Sequence, residues 1–155
     1  MMTLRKRPRS RGLVSMEIAL LLPLLMVLAM AIIEGGTMLY SWMTLQKAAQ
    51  SGTRFAATGQ GEDEGTRLSQ ITAVTEGWLD RLNKGAKEIT ITSWPDKTVT
   101  GDGIDNSAGG PCTMVQVAII YNYHPFTPVV GNLLPEVVKL RGADRKLNEP
   151  WKPCD

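Results

Sequence analysis

The chain has 155 residues and a formal net charge of +2, which suits one domain with an anchor. Five of its 17 basic residues fall in residues 1–12, where there is no acid, so the remainder holds 12 basic and 15 acidic residues. A nucleic-acid-binding protein carries its basic residues on the folded domain. This distribution argues against nucleic acid as a partner.

An apolar segment follows this basic leader. From Leu13 to Ile33 the 21 residues contain one charge, Glu17, and as a helix they span about 31 Å, close to the ~30 Å hydrocarbon core of a bilayer. Short flanks rich in Lys and Arg stay in the cytoplasm. We therefore predict a single-pass protein with the following parts: a cytoplasmic leader at residues 1–12, a transmembrane helix at 13–34 and an extracytoplasmic domain at 35–155.

Placing a charged side chain such as that of Glu17 inside hydrocarbon costs about 2.5–3.5 kcal/mol on insertion scales, so its presence in the apolar segment requires an explanation. One interpretation is that its side chain reaches the lipid headgroups. The other is that a peptidase cuts between Gly12 and Leu13 and exposes an α-amine four positions away, which then neutralises the carboxylate in the same or a neighbouring subunit. Pro23, further along, removes one backbone hydrogen bond and predicts a kink in the helix.

An ordinary secretory signal is the competing interpretation of this segment. Residues 29–31 (Ala-Met-Ala) resemble a signal cleavage site, and cutting there would release a soluble domain. Against this, the apolar run is longer than the 7–15 residues or so of a signal peptide, and it contains Glu17.

Helical periodicity continues outside the membrane and then gives way to strands. In residues 37–57, one face carries Met38, Trp42, Leu45, Ala49, Gly52 and Ala56, and we predict that it is buried. A turn at 58–65 and a second helix follow. The predicted buried face of this helix, over 66–83, consists of Leu68, Ile71, Thr75, Trp78, Leu79 and Leu82. Gly85 is its predicted cap.

Period-two alternation then predicts a half-buried strand at 87–93. A longer apolar run predicts a second strand at 114–123, and a third, less regular strand is predicted at 136–147. A glycine-rich loop at 95–111 and a proline-rich excursion at 124–135 separate them. Helices followed by strands indicate an α+β domain, in which the long N-terminal helix lies against a small antiparallel sheet.

The two cysteines, Cys112 and Cys154, lie beyond the apolar segment. In an oxidising compartment they favour one disulfide, which would contribute roughly 3–4 kcal/mol on the chain-entropy model. Two unpaired buried thiols are the alternative. One histidine and no CxxC spacing argue against a metal site.

Catalytic signatures are absent from the sequence. His124 has no evident Ser or Cys partner, and there is no GxSxG, Walker-type or GxGxxG motif. We therefore expect a protein without enzymatic activity and without a cofactor.

Several of these features together resemble TadE-like proteins of tight-adherence (Tad/Flp) type IV pilus systems. The resemblance is carried by the basic leader, Gly12, Glu17 at the fifth position after the cut, Pro23, Glu34-Gly35-Gly36 and Ala48-Ala49 before Gly52-Thr53-Arg54. More weakly, it extends to Tyr123-His124-Pro125-Phe126-Thr127-Pro128 and Asn148-Glu149-Pro150.

The resemblance implies a minor pilin or pseudopilin that takes part in pilus assembly, is cut after Gly12 by a prepilin peptidase, and has a pilin-like fold. Its implied partners are other pilin subunits, the assembly platform, the peptidase and the lipid bilayer. Its implied location is the bacterial inner membrane, with the domain in the periplasm or in a pilus. The alternative function is an uncleaved, membrane-anchored binding or adhesion module.

Overall fold

The computed structural model of the protein describes residues 11–82, 85–95 and 97–154, with the backbone alone for 11–13. It consists of a long helix, a second helix and a small antiparallel sheet, which confirms the predicted α+β class. Most of the predicted leader, residues 1–10, lies outside the described residues.

The first helix, α1 (Arg11–Ala57), runs through 47 residues without interruption. One face is buried from Glu34 onward, and its inward positions recur every three or four residues: Ser41, Thr44, Leu45, Ala48, Ala49, Thr53 and Ala56. The predicted place of Trp42 on this face is wrong, because its side chain is 45% exposed. The helix turns the small side chains of Ser41 and Thr44 inward instead, which lets the sheet approach closely.

The second helix, α2 (Arg67–Leu79), ends four residues earlier than predicted. Leu68 was predicted to be buried but is exposed, whereas Arg67 is buried. Gly85 lies six residues beyond the helix and is not its cap. A Cβ at Gly85 would lie 2.4 Å from the carbonyl oxygen of Asn122, so this glycine permits a close approach to the sheet.

The sheet has the strand order β2-β1-β3-β4, and every neighbouring pair is antiparallel. Its strands are β1 (Lys87–Trp94), β2 (Ile104–Asp105), β3 (Met114–Tyr123) and β4 (Val138–Leu147). The three predicted strands are present with small shifts at their ends. The two-residue β2 is an addition within the predicted loop, and a short 3-10 helix (Gly131–Leu133) lies in the proline-rich excursion.

The core lies between α1, α2 and one face of the sheet. Val115, Val117, Ile119, Tyr121 and Tyr123 alternate along β3 and are all buried. Gly142 on β4 meets α1 so closely that an added Cβ would lie 2.6 Å from the Cβ and from the carbonyl carbon of Leu45. The register that pairs Ile119 with Gly142 places this glycine on the core face of the sheet, towards the helix.

The C-terminal tail and Arg67 both form hydrogen bonds with the last turn of α1. The backbone N–H of Glu149 donates to the carbonyl oxygen of Ala57 at 2.9 Å, and the Arg67 guanidinium donates to that of Ala56 at 2.7 Å. Both carbonyls belong to the last helical turn, which lacks intrahelical donors. Cys112 and Cys154 form the predicted disulfide, with their Cα atoms 5.8 Å apart, and it ties the tail to the start of β3.

Gly142→Ala is expected to destabilise the domain by about 1–3 kcal/mol, because the new methyl group overlaps the backbone of α1. Gly77→Ala is the matched control: nothing lies within 4 Å of a Cβ at this α2 position, so it should stabilise by up to about 1 kcal/mol. Denaturant unfolding of both variants in detergent micelles measures the difference. Equal stability of the two variants would contradict the close approach.

Candidate functional site

Predicted processing residues lie at the start of α1. Gly12 and Leu13 are the second and third residues of the helix. Glu17 is exposed on the same helix, and no described residue forms a hydrogen bond or an ion pair with its carboxylate. Its surroundings on the helix are exposed apolar side chains, including Val14, Met16 and Ile18.

Pro23 lies inside α1, and the helix continues on both sides of it. Because proline has no backbone N–H, the carbonyl of Ala19, four residues earlier, lacks its helical donor. The kink itself stays a prediction. Gly35 and Gly36 are also fully helical, and no described residue of the chain comes within 4 Å of a Cβ added at either position.

The N-terminal half of α1 fits a single-pass membrane anchor. It is the one helix among the described residues that is long and apolar enough to cross a bilayer, and none of its most apolar stretch is buried against the rest of the chain. Thirteen large apolar side chains between Val14 and Ile33 are exposed. Such a continuous exposed surface requires lipid or other apolar helices to cover it.

The carboxylate of Glu34 joins this anchor to the rest of the fold, the part of the chain after Glu34 that contains the core, α2 and the sheet, which we call the outer domain. Glu34 follows Ile33 directly and is 1% exposed. Its Oε1 accepts a hydrogen bond from the Tyr123 hydroxyl at 2.6 Å, and its Oε2 accepts from the backbone N–H groups of Thr127 at 3.0 Å and Phe126 at 3.3 Å. Burial of a carboxylate is unfavourable without such donors, and these three offset the cost.

Tyr123 connects two turns of α1 at this junction. Its hydroxyl lies 2.8 Å from Thr37 Oγ1 as well as bonding Glu34. Burial raises the pKa of Tyr123 to about 12, and the hydrogen bond to Glu34 acts in the same direction because ionisation would remove the donor. The hydroxyl therefore stays protonated over the physiological range and keeps donating.

The sequence pattern identifies Glu34 only as part of Glu34-Gly35-Gly36 and does not predict its contact with the outer domain. The available signal was a charged residue directly after the apolar run. Its partners lie about 90 positions away, at the end of a strand and in the loop after it. Local periodicity carries no information about such a distant pairing.

This constellation is suited to positioning and not to proton transfer or nucleophilic attack. The Glu34 carboxylate is enclosed by its own domain, whereas Glu17 is open to a partner outside the chain. No group of three or more His, Cys, Asp or Glu side chains able to hold a metal ion occurs among the described residues.

Comparison with known proteins matches one segment of the chain. Residues 12–54 match the family model of TadE-like proteins. This confirms the resemblance for α1 from Gly12 to within one turn of its end, a segment that includes Glu17, Pro23 and Glu34. No curated protein and no solved structure matches the chain.

Tyr123→Phe is expected to lower the free energy of unfolding by about 1.5–3 kcal/mol at neutral pH, since a buried carboxylate oxygen loses its donor. The stability that the wild type gains from the raised pKa of Tyr123 is fully present below about pH 10, the ordinary pKa of tyrosine. It is lost as the pH rises towards 12, the pKa in the folded protein. The variant should therefore lose less stability over that range.

Tyr40→Phe is the control for this measurement, because Tyr40 is an exposed tyrosine of the same helix and a change there should stay within about 0.5 kcal/mol. Denaturant unfolding of the full chain in micelles, repeated at neutral and alkaline pH, provides both readouts. An alkaline slope unchanged by Tyr123→Phe would argue against the buried hydroxyl.

Proposed function

We propose that this chain, TadE-like over residues 12–54, is a minor pilin or pseudopilin that takes part in assembly of a tight-adherence (Flp-type) pilus. It acts as a structural protein without enzymatic activity or cofactor. A prepilin peptidase cuts it after Gly12, and its partners are other pilin subunits, the assembly platform and the lipid bilayer. The family match begins at Gly12 and covers the apolar helix, and this observation carries the proposal.

Glu17 provides the physical argument for processing. Its carboxylate lies on an exposed apolar surface without a partner among the described residues. Cleavage before Leu13 creates a cation four positions earlier, which is about 6 Å along a helix and on the same face. When the helices of two subunits pack together, that amine and Glu17 neutralise each other in a medium of low dielectric constant.

The proposed topology follows from the basic leader. Residues 1–12 remain in the cytoplasm until they are removed, residues 13–34 span the inner membrane, and residues 35–155 form the periplasmic domain that contacts neighbouring subunits. The disulfide between Cys112 and Cys154 agrees with an oxidising compartment for this domain.

Intact mass of the membrane form tests the cleavage. In cells that contain the peptidase we expect loss of residues 1–12, leaving 143 of the 155 residues with Leu13 at the N-terminus. Cells without the peptidase are the control and should retain the full chain. A protein that keeps its leader in both strains would instead be an uncleaved anchored binding or adhesion module, and a chain beginning at Ile32 would be a secreted domain.

Glu17→Gln tests the pairing. The variant should insert into the membrane and be cleaved normally, because the amide is similar in size and less costly in lipid. It should assemble poorly, since the neighbouring α-amine loses its counter-charge. Pili are counted by electron microscopy, with Glu76→Gln on the exposed face of α2 as the matched control. Normal piliation with Glu17→Gln would contradict the pairing role.

A further inference from the structure

We propose that the 124–137 loop of the outer domain lies in the lipid bilayer surface and forms a second membrane contact beside the helix. The occupant of this apolar surface is lipid, at the boundary between headgroups and acyl chains. This inference rests on the proposed membrane anchor and adds to it that the domain is seated on the bilayer.

The loop is fixed at the level where the helix leaves the membrane. Glu34 immediately follows the last residue of the apolar run, and it accepts hydrogen bonds from the backbone of Phe126 and Thr127. These bonds, together with the Tyr123 hydroxyl, hold the start of the loop against the helix at that height. The domain therefore cannot stand away from the bilayer on a free tether.

A second observation extends the contact below Glu34. Of residues 14–33 every side chain is exposed except that of Met30, which is half-buried. Met30 lies four residues before Glu34, hence on the same helix face and about 6 Å deeper along the axis. The outer domain contacts this face at Glu34 through the loop. The reduced exposure of Met30, one turn deeper on the same face, agrees with a domain seated at the end of the apolar segment.

The amino-acid composition of the 124–137 loop is compatible with contact with lipid. Four of its large side chains are apolar and exposed: Phe126 at 56%, Leu133 at 79%, Val129 and Val137. His124, Asn132 and Glu136 are its exposed polar side chains. Glu136 is the one charged residue in 124–137 when His124 is neutral. Single exposed apolar residues are ordinary, but four in one loop whose start is bonded to the end of the apolar segment offer lipid a second apolar contact.

Depth measurement on the full chain tests the proposal. A nitroxide is attached at Leu133→Cys, with the native disulfide kept oxidised, and the protein is reconstituted in phosphatidylcholine–phosphatidylglycerol bilayers. Collision rates are measured with oxygen, which concentrates in lipid, and with a water-soluble nickel chelate. We expect the oxygen-to-nickel ratio at position 133 to approach that at Ile33→Cys, at the end of the apolar run.

Gln60→Cys is the matched control, because it is exposed and lies beyond the far end of α1, about 35 Å from the level of Glu34. Its nickel collision rate should be high. An equally high nickel rate at position 133, or low rates with both reagents as for a site covered by protein, would overturn the proposal.

A fourth label, at Leu25→Cys, separates this inference from the proposed function. If position 25 is protected from nickel while 133 is not, the helix spans the bilayer and the loop alone is misplaced. If position 25 is also open to nickel, the membrane anchor fails and this inference fails with it. Protection at both 25 and 133, with Gln60→Cys in water, supports the proposal.

Discussion

The hydrogen-bonded carboxylate of Glu34 is the constraint on which the arrangement of the molecule depends. It couples the end of the apolar helix segment to the end of β3 and to the loop that follows, through donors on Tyr123, Phe126 and Thr127. Without these donors, the buried Glu34 carboxylate would lack hydrogen bonds at the point where the exposed apolar surface of the helix ends and the protein core begins. The outer domain therefore has one defined position along the helix.

Glu17 and Glu34, near the two ends of the apolar segment, meet opposite conditions. Glu34 is fully enclosed and receives three donors from its own chain, whereas Glu17 is exposed and has no partner among the described residues. A carboxylate that is satisfied internally holds a domain in place, and one that is not is available to a neighbouring molecule. The same type of side chain thus has two different environments in one helix: one is satisfied within the chain and the other is not.

Periodicity was sufficient to predict the α+β class, both helices and the three longer strands, since these depend on contacts that repeat every two to four residues. It was insufficient for Trp42, which was assigned to the buried stripe of α1 but is 45% exposed. It also missed the buried roles of Arg67 and Glu34. Both are charged residues that become core residues through partners far away in the chain, and no local pattern reports such partners.

The closed covalent loop between Cys112 and Cys154 encompasses β3 and β4, the two strands that pack on α1. A force that pulls along α1 would load the interface between α1 and these two strands in shear, so that many contacts would have to break together. Even where hydrogen bonds between these strands part, the cross-link limits how far the chain can lengthen, and the tail stays near the end of the helix. The cross-link therefore limits the extension of the domain when the helix is pulled.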